Sequence, residues 1–260
     1  RPAACERRIP FIDCRIRRRL GMALRMSVSE SPEFEAVKAE NKVMKAPALE
    51  VIKSDWRSIL KIIGLRMAET GGYYITTSFM LSYVALAHVS TTKHVLWGTL
   101  IGSALGLVSH LIYGALSDRV GRRPVFIFGA LFTIVFGIPM FMLINTGAII
   151  MVIVAVALSL LVSHDPIFAV EASWFSEQFP ANVRSSGISL GYNGASVVAG
   201  LLPIIATAIY GVFGWIGPAL MFSALGVIST CCALTMRETA PVAIARRRGT
   251  SDQTLMHSTR

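Results

Sequence analysis

Gly114-Ala-Leu-Ser-Asp118-Arg119-Val-Gly121-Arg122-Arg123-Pro124 is a polar, basic turn set between two apolar runs that are each long enough to cross a bilayer. Three arginines within five positions are excluded from hydrocarbon, and an excess of Lys and Arg in a short loop marks the cytoplasmic side. The turn therefore predicts a membrane hairpin with a cytoplasmic tip and orients the rest of the chain. Gly121 suits the positive φ of a tight turn, and Pro124 suits the first turn of a helix, where its missing N–H leaves nothing unpaired. Asp118, just past one helix, is placed to accept from the exposed N–H groups at the start of another. A solvated basic stop signal accounts equally well for Arg119, Arg122 and Arg123, but not for the whole spacing.

Composition agrees with a bilayer setting. Of 260 residues, 53% are hydrophobic and 15% charged, and the mean hydropathy is +0.59, too apolar for a soluble domain of this size. In a soluble protein, the net charge of +10 and a pI near 9.9 suggest nucleic acid. Here the basic residues gather at the two ends and in the turn, with no aromatic-plus-basic groove, so nucleic-acid binding is not expected. Cys5, Cys14, Cys231 and Cys232 show neither metal-ligand spacing nor a disulfide framework. No metal and no cofactor are expected, and no nucleophile–base pair suggests an enzyme. The chain opens on Arg1, without a cleavable signal, and reads as the remainder of something longer.

Residues 1–57 are charged and mixed, and read as a cytoplasmic surface segment. Ser29-Glu-Ser-Pro32 and Glu33 to Lys38 suggest a turn and a short amphipathic helix. The arginine-rich run from Ile9 to Met26 carries too many charges to span, at about 2.5–3.5 kcal/mol per central charge. Six apolar runs follow within residues 58–237, at approximately 59–87, 95–116, 125–144, 148–175, 187–210 and 216–236. Each is near the roughly 20 residues that about 30 Å of hydrocarbon requires. With the turn in the cytoplasm, Lys93 is alone among the 25 Lys and Arg in falling outside, and both termini lie inside. The tail, 238–260, with Arg246-Arg247-Arg248, reads as a basic cytoplasmic anchor on anionic lipid. Gly98, Gly102 and Gly106, and Gly191, Gly194 and Gly200, fall at helix-face spacings that let helices approach closely. Six crossings also invite a three-plus-three inverted repeat.

Ionisable residues concentrate in the first member of each triplet. In the first crossing Arg66 and Glu69 are three apart, with Thr70, Tyr73 and Thr77 on the same line. In the fourth, His164, Phe168 and Glu171 share a face, Asp165 lies one step round, and Pro166 interrupts the backbone. Rise per residue places Arg66, Glu69, His164 and Asp165 at comparable depth, so they are expected to meet across a cavity. An unpaired charge there costs several kcal/mol, so such residues face a bundle interior or water. The plain alternative for Arg66 and Glu69 is a self-compensated pair that locks the helix. A histidine such as His164 can titrate near neutral pH, and Asp165 beside it offers a relay. Glu171 reads as closer to the interface, snorkelling or pairing with a loop arginine. His110 reads as an interhelical hydrogen-bonder, and Trp174 as a cavity or belt aromatic.

The spacing Gly114-x-x-x-Asp118-Arg119-x-Gly121-Arg122-Arg123 resembles the signature loop of the major facilitator superfamily. Arg66-Met-Ala-Glu69-Thr-Gly-Gly-Tyr-Tyr is similar to that superfamily's metabolite:proton symporter branch. So is Ser176-Glu177-Gln-Phe-Pro180-Ala-Asn-Val-Arg184-Ser-Ser-Gly187-Ile-Ser-Leu-Gly191-Tyr. The resemblance runs from about Ser29 to Thr239 and matches crossings 7 to 12, the C-terminal half of a twelve-helix carrier. It implies an all-α, polytopic six-helix half with a three-plus-three inverted repeat, in the plasma or inner membrane. It further implies proton symport of organic acids or zwitterionic osmolytes by alternating access.

In that scheme Arg66, Tyr73 and Thr77 bind substrate, with a planar donor fork on its carboxylate. Glu69, His164 and Asp165 carry protons. Gly114, Asp118, Arg119, Gly121, Arg122, Arg123, Glu177 and Arg184 form the gating loops. The sequence departs from the family before Ser29, where Asp13 and the arginine run replace an apolar crossing. The expected partners are a small-molecule substrate, protons, the lipid bilayer, and a missing N-terminal half or a second copy. Without that other wall, the alternative is a transport-incompetent fragment with a structural or regulatory membrane role.

Overall fold

The computed structural model describes residues 55–180 and 183–240, with Met22, Ile52 and Lys53 besides. The amphipathic helix expected near Glu33, the arginine run and the Arg246–Arg248 tail lie outside the described residues. Within them the chain is all helix and turn. The elements are α1 (Trp56–Arg66), α2 (Gly72–Tyr74), α3 (Met80–Leu86), α4 (Thr92–Val120), α5 (Arg122–Asn145), α6 (Ile149–Leu158), α7 (Asp165–Ser176), α8 (Arg184–Phe213) and α9 (Ile216–Thr235). π-Helical turns join α1 to α2 (Met67–Gly71), α2 to α3 (Ile75–Phe79) and α6 to α7 (Ser159–His164). The first crossing is thus α1 to α3 and the fourth is α6 to α7, with α4, α5, α8 and α9 as the second, third, fifth and sixth.

Five of the six rods are long and apolar enough to span a membrane. The first, read from the sequence as an apolar run over 59–87 with a polar stripe, is not among them. It carries Arg57, Lys61, Arg66, Glu69 and a series of Thr, Ser and Tyr. Arg66, Glu69, Thr70 and Thr76 of this rod are buried, so the ionisable pair at its middle faces protein rather than lipid. In the fourth crossing the break expected at Pro166 takes the form of the π turn just before it. A proline cannot donate to the helical ladder, and the wider turn absorbs the lost bond without ending the rod.

The packing has a symmetry of its own. The major pairings are second on fourth, first on fifth, third on fourth, first on sixth, third on sixth, and fifth on sixth. Exchanging crossings one, two and three for four, five and six maps second-on-fourth onto fifth-on-first, and third-on-fourth onto sixth-on-first. The third–sixth pair maps onto itself. This is the contact pattern that a three-plus-three repeat requires.

Small residues make these approaches possible. A Cβ on Gly98 would sit 2.8 Å from Val156 Cβ, and one on Gly102 3.2 Å from Ala157 Cα, both in the fourth crossing. Gly191 and Gly194 are equally close to Ile62 and Ile63 of the first. Gly200 departs from the expected stripe, because nothing lies within 4 Å of the Cβ it lacks.

At the third–sixth junction a Cβ on Gly137 would meet Ser223 Oγ at 2.2 Å and the Ala219 carbonyl oxygen at 2.7 Å. Ser223 is itself bonded to the Ile134 carbonyl at 2.8 Å, so neither neighbour yields freely. Gly137→Ala is therefore expected to destabilise the bundle by about 1–3 kcal/mol, read as a lower Tm of the purified protein in detergent.

The end of the bundle away from the signature turn is closed by aromatics. Tyr83 packs edge-on against Phe141 and Tyr210 at centroid distances of 5.2 and 5.3 Å and donates its hydroxyl to Asn145. At the opposite end Trp174 is fully buried, packs on Phe126 and donates its indole N–H to the Arg237 carbonyl at 2.8 Å. Trp174 is thus neither a cavity nor a belt residue. It ties the fourth crossing to the chain leaving the sixth.

Candidate functional site: a buried charge cluster and the signature turn

The signature turn is built around Glu238, which sequence reasoning missed. Gly121 has φ +118, ψ +154, a conformation that strains any residue with a Cβ, and it ends α4 as expected. Its N–H donates to the Ser117 carbonyl at 2.9 Å. α5 then starts with its first N–H groups exposed, and Glu238 meets them. Arg122 N donates to Oε1 at 3.1 Å and Arg123 N to Oε2 at 2.9 Å. The backbone N–H groups of Thr239 and Ala240 donate to Oε1. Asp118, the expected acceptor, is exposed, as is Arg119. The capping anion comes instead from just beyond the last helix, because the chain returns there to the mouth of α5.

Around this centre the Arg122 guanidinium pairs with Glu177 at 2.9 Å, and Arg123 donates to the Leu234 carbonyl at 2.8 Å. Arg184 Nε reaches the Phe179 carbonyl at 3.4 Å. Gly114 faces open space, while its carbonyl accepts from Ser117. The turn between crossings two and three is thereby joined to those after crossings four and six.

Burial acts against ionisation of Glu238. The N–H groups of Ala240, Arg123, Arg122 and Thr239 nevertheless hold its carboxyl below the usual carboxylate range. A group whose folded pKa is depressed stabilises the fold fully above its unfolded value, near pH 4, and loses that contribution as pH falls through the lowered one. Glu238→Gln is expected to cost about 1 kcal/mol near pH 7. The Tm gap between wild type and variant should narrow as pH is lowered below about 4.

Deeper in the bundle, the residues expected to share a depth are in direct contact. Arg66 donates to Glu69 Oε2 from Nε at 3.2 Å and from Nη2 at 2.9 Å, and Thr70 donates its hydroxyl to the same oxygen. Glu69 Oε1 lies 3.2 Å from His164 Nε2, and His164 Nδ1 lies 3.0 Å from Asp165 Oδ1. Ser109 donates to Asp165 Oδ2. A continuous chain of polar contacts thus runs from the first crossing to the fourth and on to the second. The π turns at Met67–Gly71 and Ser159–His164 lie where the two rods exchange these contacts.

Two members of the cluster were read otherwise in the sequence. Glu171 is no interfacial residue. It is 1% exposed and its Oε1 lies 3.4 Å from Arg66 Nη2, giving the guanidinium a second carboxylate. Tyr192 of α8 was not singled out, yet its ring lies 3.8 Å from the Arg66 guanidinium carbon, a cation–π distance. Only its place in a helix facing the first crossing reveals that role. His110 Nδ1 faces the Gly106 carbonyl of its own helix, while its Nε2 lies 3.5 Å from Asp165 Oδ1 of the fourth crossing.

Tyr73 lies on the open side of the cluster, its ring 5.3 Å from that of His164, and Phe168 flanks the same imidazole. Both are exposed. Thr77 returns its hydroxyl to the Tyr73 carbonyl at 2.7 Å, within its own helix.

Apolar crossings enclosing a charged cluster shared by three helices are the architecture of a polytopic membrane protein. The chain belongs to the major facilitator superfamily, whose sequence profile matches residues 28–255. It is 31% identical over 238 residues to the shikimate transporter of Escherichia coli (strain K12), covering 89% of this chain and 54% of that protein. It is 32% identical over 245 residues to the proline/betaine transporter of the same strain, covering 90% and 48%. A glycine betaine/proline/ectoine/pipecolic acid transporter of Dickeya dadantii (strain 3937) is 29% identical over 245 residues, with the same coverage, 90% and 48%. The chain spans about half the length of these curated relatives and matches their C-terminal half. No solved structure matches it.

Proposed function

We propose that this chain forms the C-terminal half of a proton-coupled symporter for a small carboxylate or zwitterionic metabolite. It works by alternating access against a second six-helix half in the cell membrane, with both ends cytoplasmic. The observation that carries the reading is the buried path from Arg66 through Glu69 and His164 to Asp165. Arg66 supplies the forked donor that suits a carboxylate, and Tyr73 and Thr77 flank the same line. Glu69, His164 and Asp165 can hold and pass a proton over hydrogen-bond distances. The Glu238-centred turn, with Arg122, Glu177 and Arg184, acts as the cytoplasmic gate. Shikimate, proline and betaine, named for the relatives, each carry a carboxylate, the group Arg66 is suited to hold.

The test is uptake into proteoliposomes holding this chain together with an N-terminal half, using labelled shikimate, proline and betaine. Uptake of at least one that rises when the outside is made acidic supports the proposal. Failure of all three under an inward proton gradient, or labelling of a cysteine placed at Asp118 from outside intact cells, overturns it.

A further inference from the structure

The second and fourth crossings bring a set of metal-ligating atoms together. His110, His164 and Asp165 each offer one ligand atom, and the three atoms lie within 4.8 Å of one another. His110 Nδ1 faces the Gly106 carbonyl. A carbonyl only accepts, so Nδ1 carries the ring proton and Nε2 presents a lone pair. That Nε2 is shielded from solvent, makes no hydrogen bond, and lies 3.5 Å from Asp165 Oδ1. His164 Nδ1 lies 3.0 Å from the same oxygen, while its Nε2 is turned to Glu69 Oε1 at 3.2 Å. The other carboxylate oxygen, Asp165 Oδ2, accepts from Ser109.

All three residues therefore have their outer atom held by a partner and their inner atom turned towards the other two, with His164 Nδ1 and Asp165 Oδ1 already in contact. A ligating histidine characteristically donates its second N–H to a carbonyl or carboxylate, and here one histidine has each kind. Bonds of about 2.0–2.2 Å around a tetrahedral ion put neighbouring ligand atoms about 3.3–3.5 Å apart. The 3.5 and 3.0 Å separations found here need little adjustment to reach that spacing.

We propose that His110, His164 and Asp165 form a binding site for a divalent transition-metal ion of the zinc class, oriented by Gly106, Glu69 and Ser109. Two nitrogens and one oxygen favour Zn2+, Co2+ or Ni2+ over Mg2+ or Ca2+, which take oxygen. Charge also favours it, since Asp165 is itself a carboxylate and Glu69, 3.2 Å from His164, and Glu171, 3.4 Å from Arg66, outnumber that arginine. The His110 side chain is 31% exposed, and exposed Tyr73 and Phe168 border the site, so the cluster lies close to the surface of the bundle. The site bridges helices already in contact at Gly98 and Gly102, and a Cβ on Gly106 would stand 3.3 Å from Asp165 Oδ2. It stands whether or not the transport reading holds, because binding is measured without flux.

The test uses the untagged chain in lipid nanodiscs, titrated with Zn2+ by calorimetry and with Co2+ by visible absorption. One ion per chain is expected, with Co2+ ligand-field bands and no competition from Mg2+ or Ca2+. His110→Ala should abolish the bands while leaving helical circular dichroism unchanged. Ser109→Ala should weaken binding about 10- to 100-fold, as loss of an outer partner does, and His94→Gln, at the far end of α4, should change nothing. Absence of stoichiometric Zn2+ binding, or binding undiminished in both His110→Ala and Asp165→Asn, overturns the proposal.

Discussion

Arg66→Ala is expected to abolish metabolite uptake by the assembled transporter. The same change should lower the amount of folded protein. Arg66 is buried between Glu69 at 2.9 Å and Glu171 at 3.4 Å, and removing it leaves two carboxylates facing each other without a cation. Breaking one buried pair costs about 3–5 kcal/mol, so the single variant alone cannot separate lost binding from lost folding. Arg66→Ala combined with Glu171→Gln removes the excess negative charge and should restore folded protein, measured as a monodisperse peak with wild-type circular dichroism. Uptake should stay absent in that double variant.

Arg66→Lys keeps the charge but loses the fork and the flat face lying 3.8 Å from the Tyr192 ring. Losing a buried charged hydrogen bond to ligand is worth about 2–5 kcal/mol, which at about 1.4 kcal/mol per decade predicts a KM raised about 30-fold or more. Wild-type KM in Arg66→Lys would reduce the arginine to a lock on its own helix.

What the sequence made legible is what depends on local spacing. The signature turn gave the hairpin, because excluding Arg119, Arg122 and Arg123 from hydrocarbon requires no tertiary information. Arg66 and Glu69, three apart on one helix, were bound to meet. His164 and Asp165 were placed by counting rise along two rods. Three features escaped because they depend on which rod lies beside which.

Glu238 looks like an ordinary charge after a last helix until the sixth crossing packs along the third and brings it to the mouth of α5. Tyr192 sits in an unremarkable small-residue stretch, and Gly191 beside it is what lets α8 approach the first crossing. Glu171 was assigned to the interface by linear depth, yet it turns inward because Arg66 offers the neighbouring cation. The polar character of the first crossing was legible as composition. Reading it as one more apolar run overlooked that its polar middle, with Arg66, Glu69 and Thr70 buried in protein, has no need of lipid solubility.

Glu69→Gln is expected to separate proton movement from substrate movement. Glu69 is the link between the two halves of the cluster, since its Oε2 accepts from Arg66 and its Oε1 faces His164 Nε2 at 3.2 Å. Gln keeps the shape and still offers Arg66 an acceptor, and Glu171 remains beside the guanidinium. Substrate binding and passive exchange should therefore survive. The amide cannot take and release a proton, so the path to His164 is cut. If one proton accompanies each neutral substrate, a pH difference of one unit is worth about 1.4 kcal/mol, which sets a tenfold accumulation at equilibrium. Wild-type transporter should approach that ratio. Glu69→Gln should equilibrate labelled substrate to a ratio of about one at every imposed gradient, with exchange rates reduced far less than accumulation. His164→Gln should behave likewise if the proton passes between these two residues, whereas Thr77→Val, whose hydroxyl is returned to its own helix, should keep the gradient dependence. Accumulation that still follows the pH difference in Glu69→Gln would place the coupling elsewhere and leave the Arg66–Glu69–His164 chain a structural brace between the first and fourth crossings.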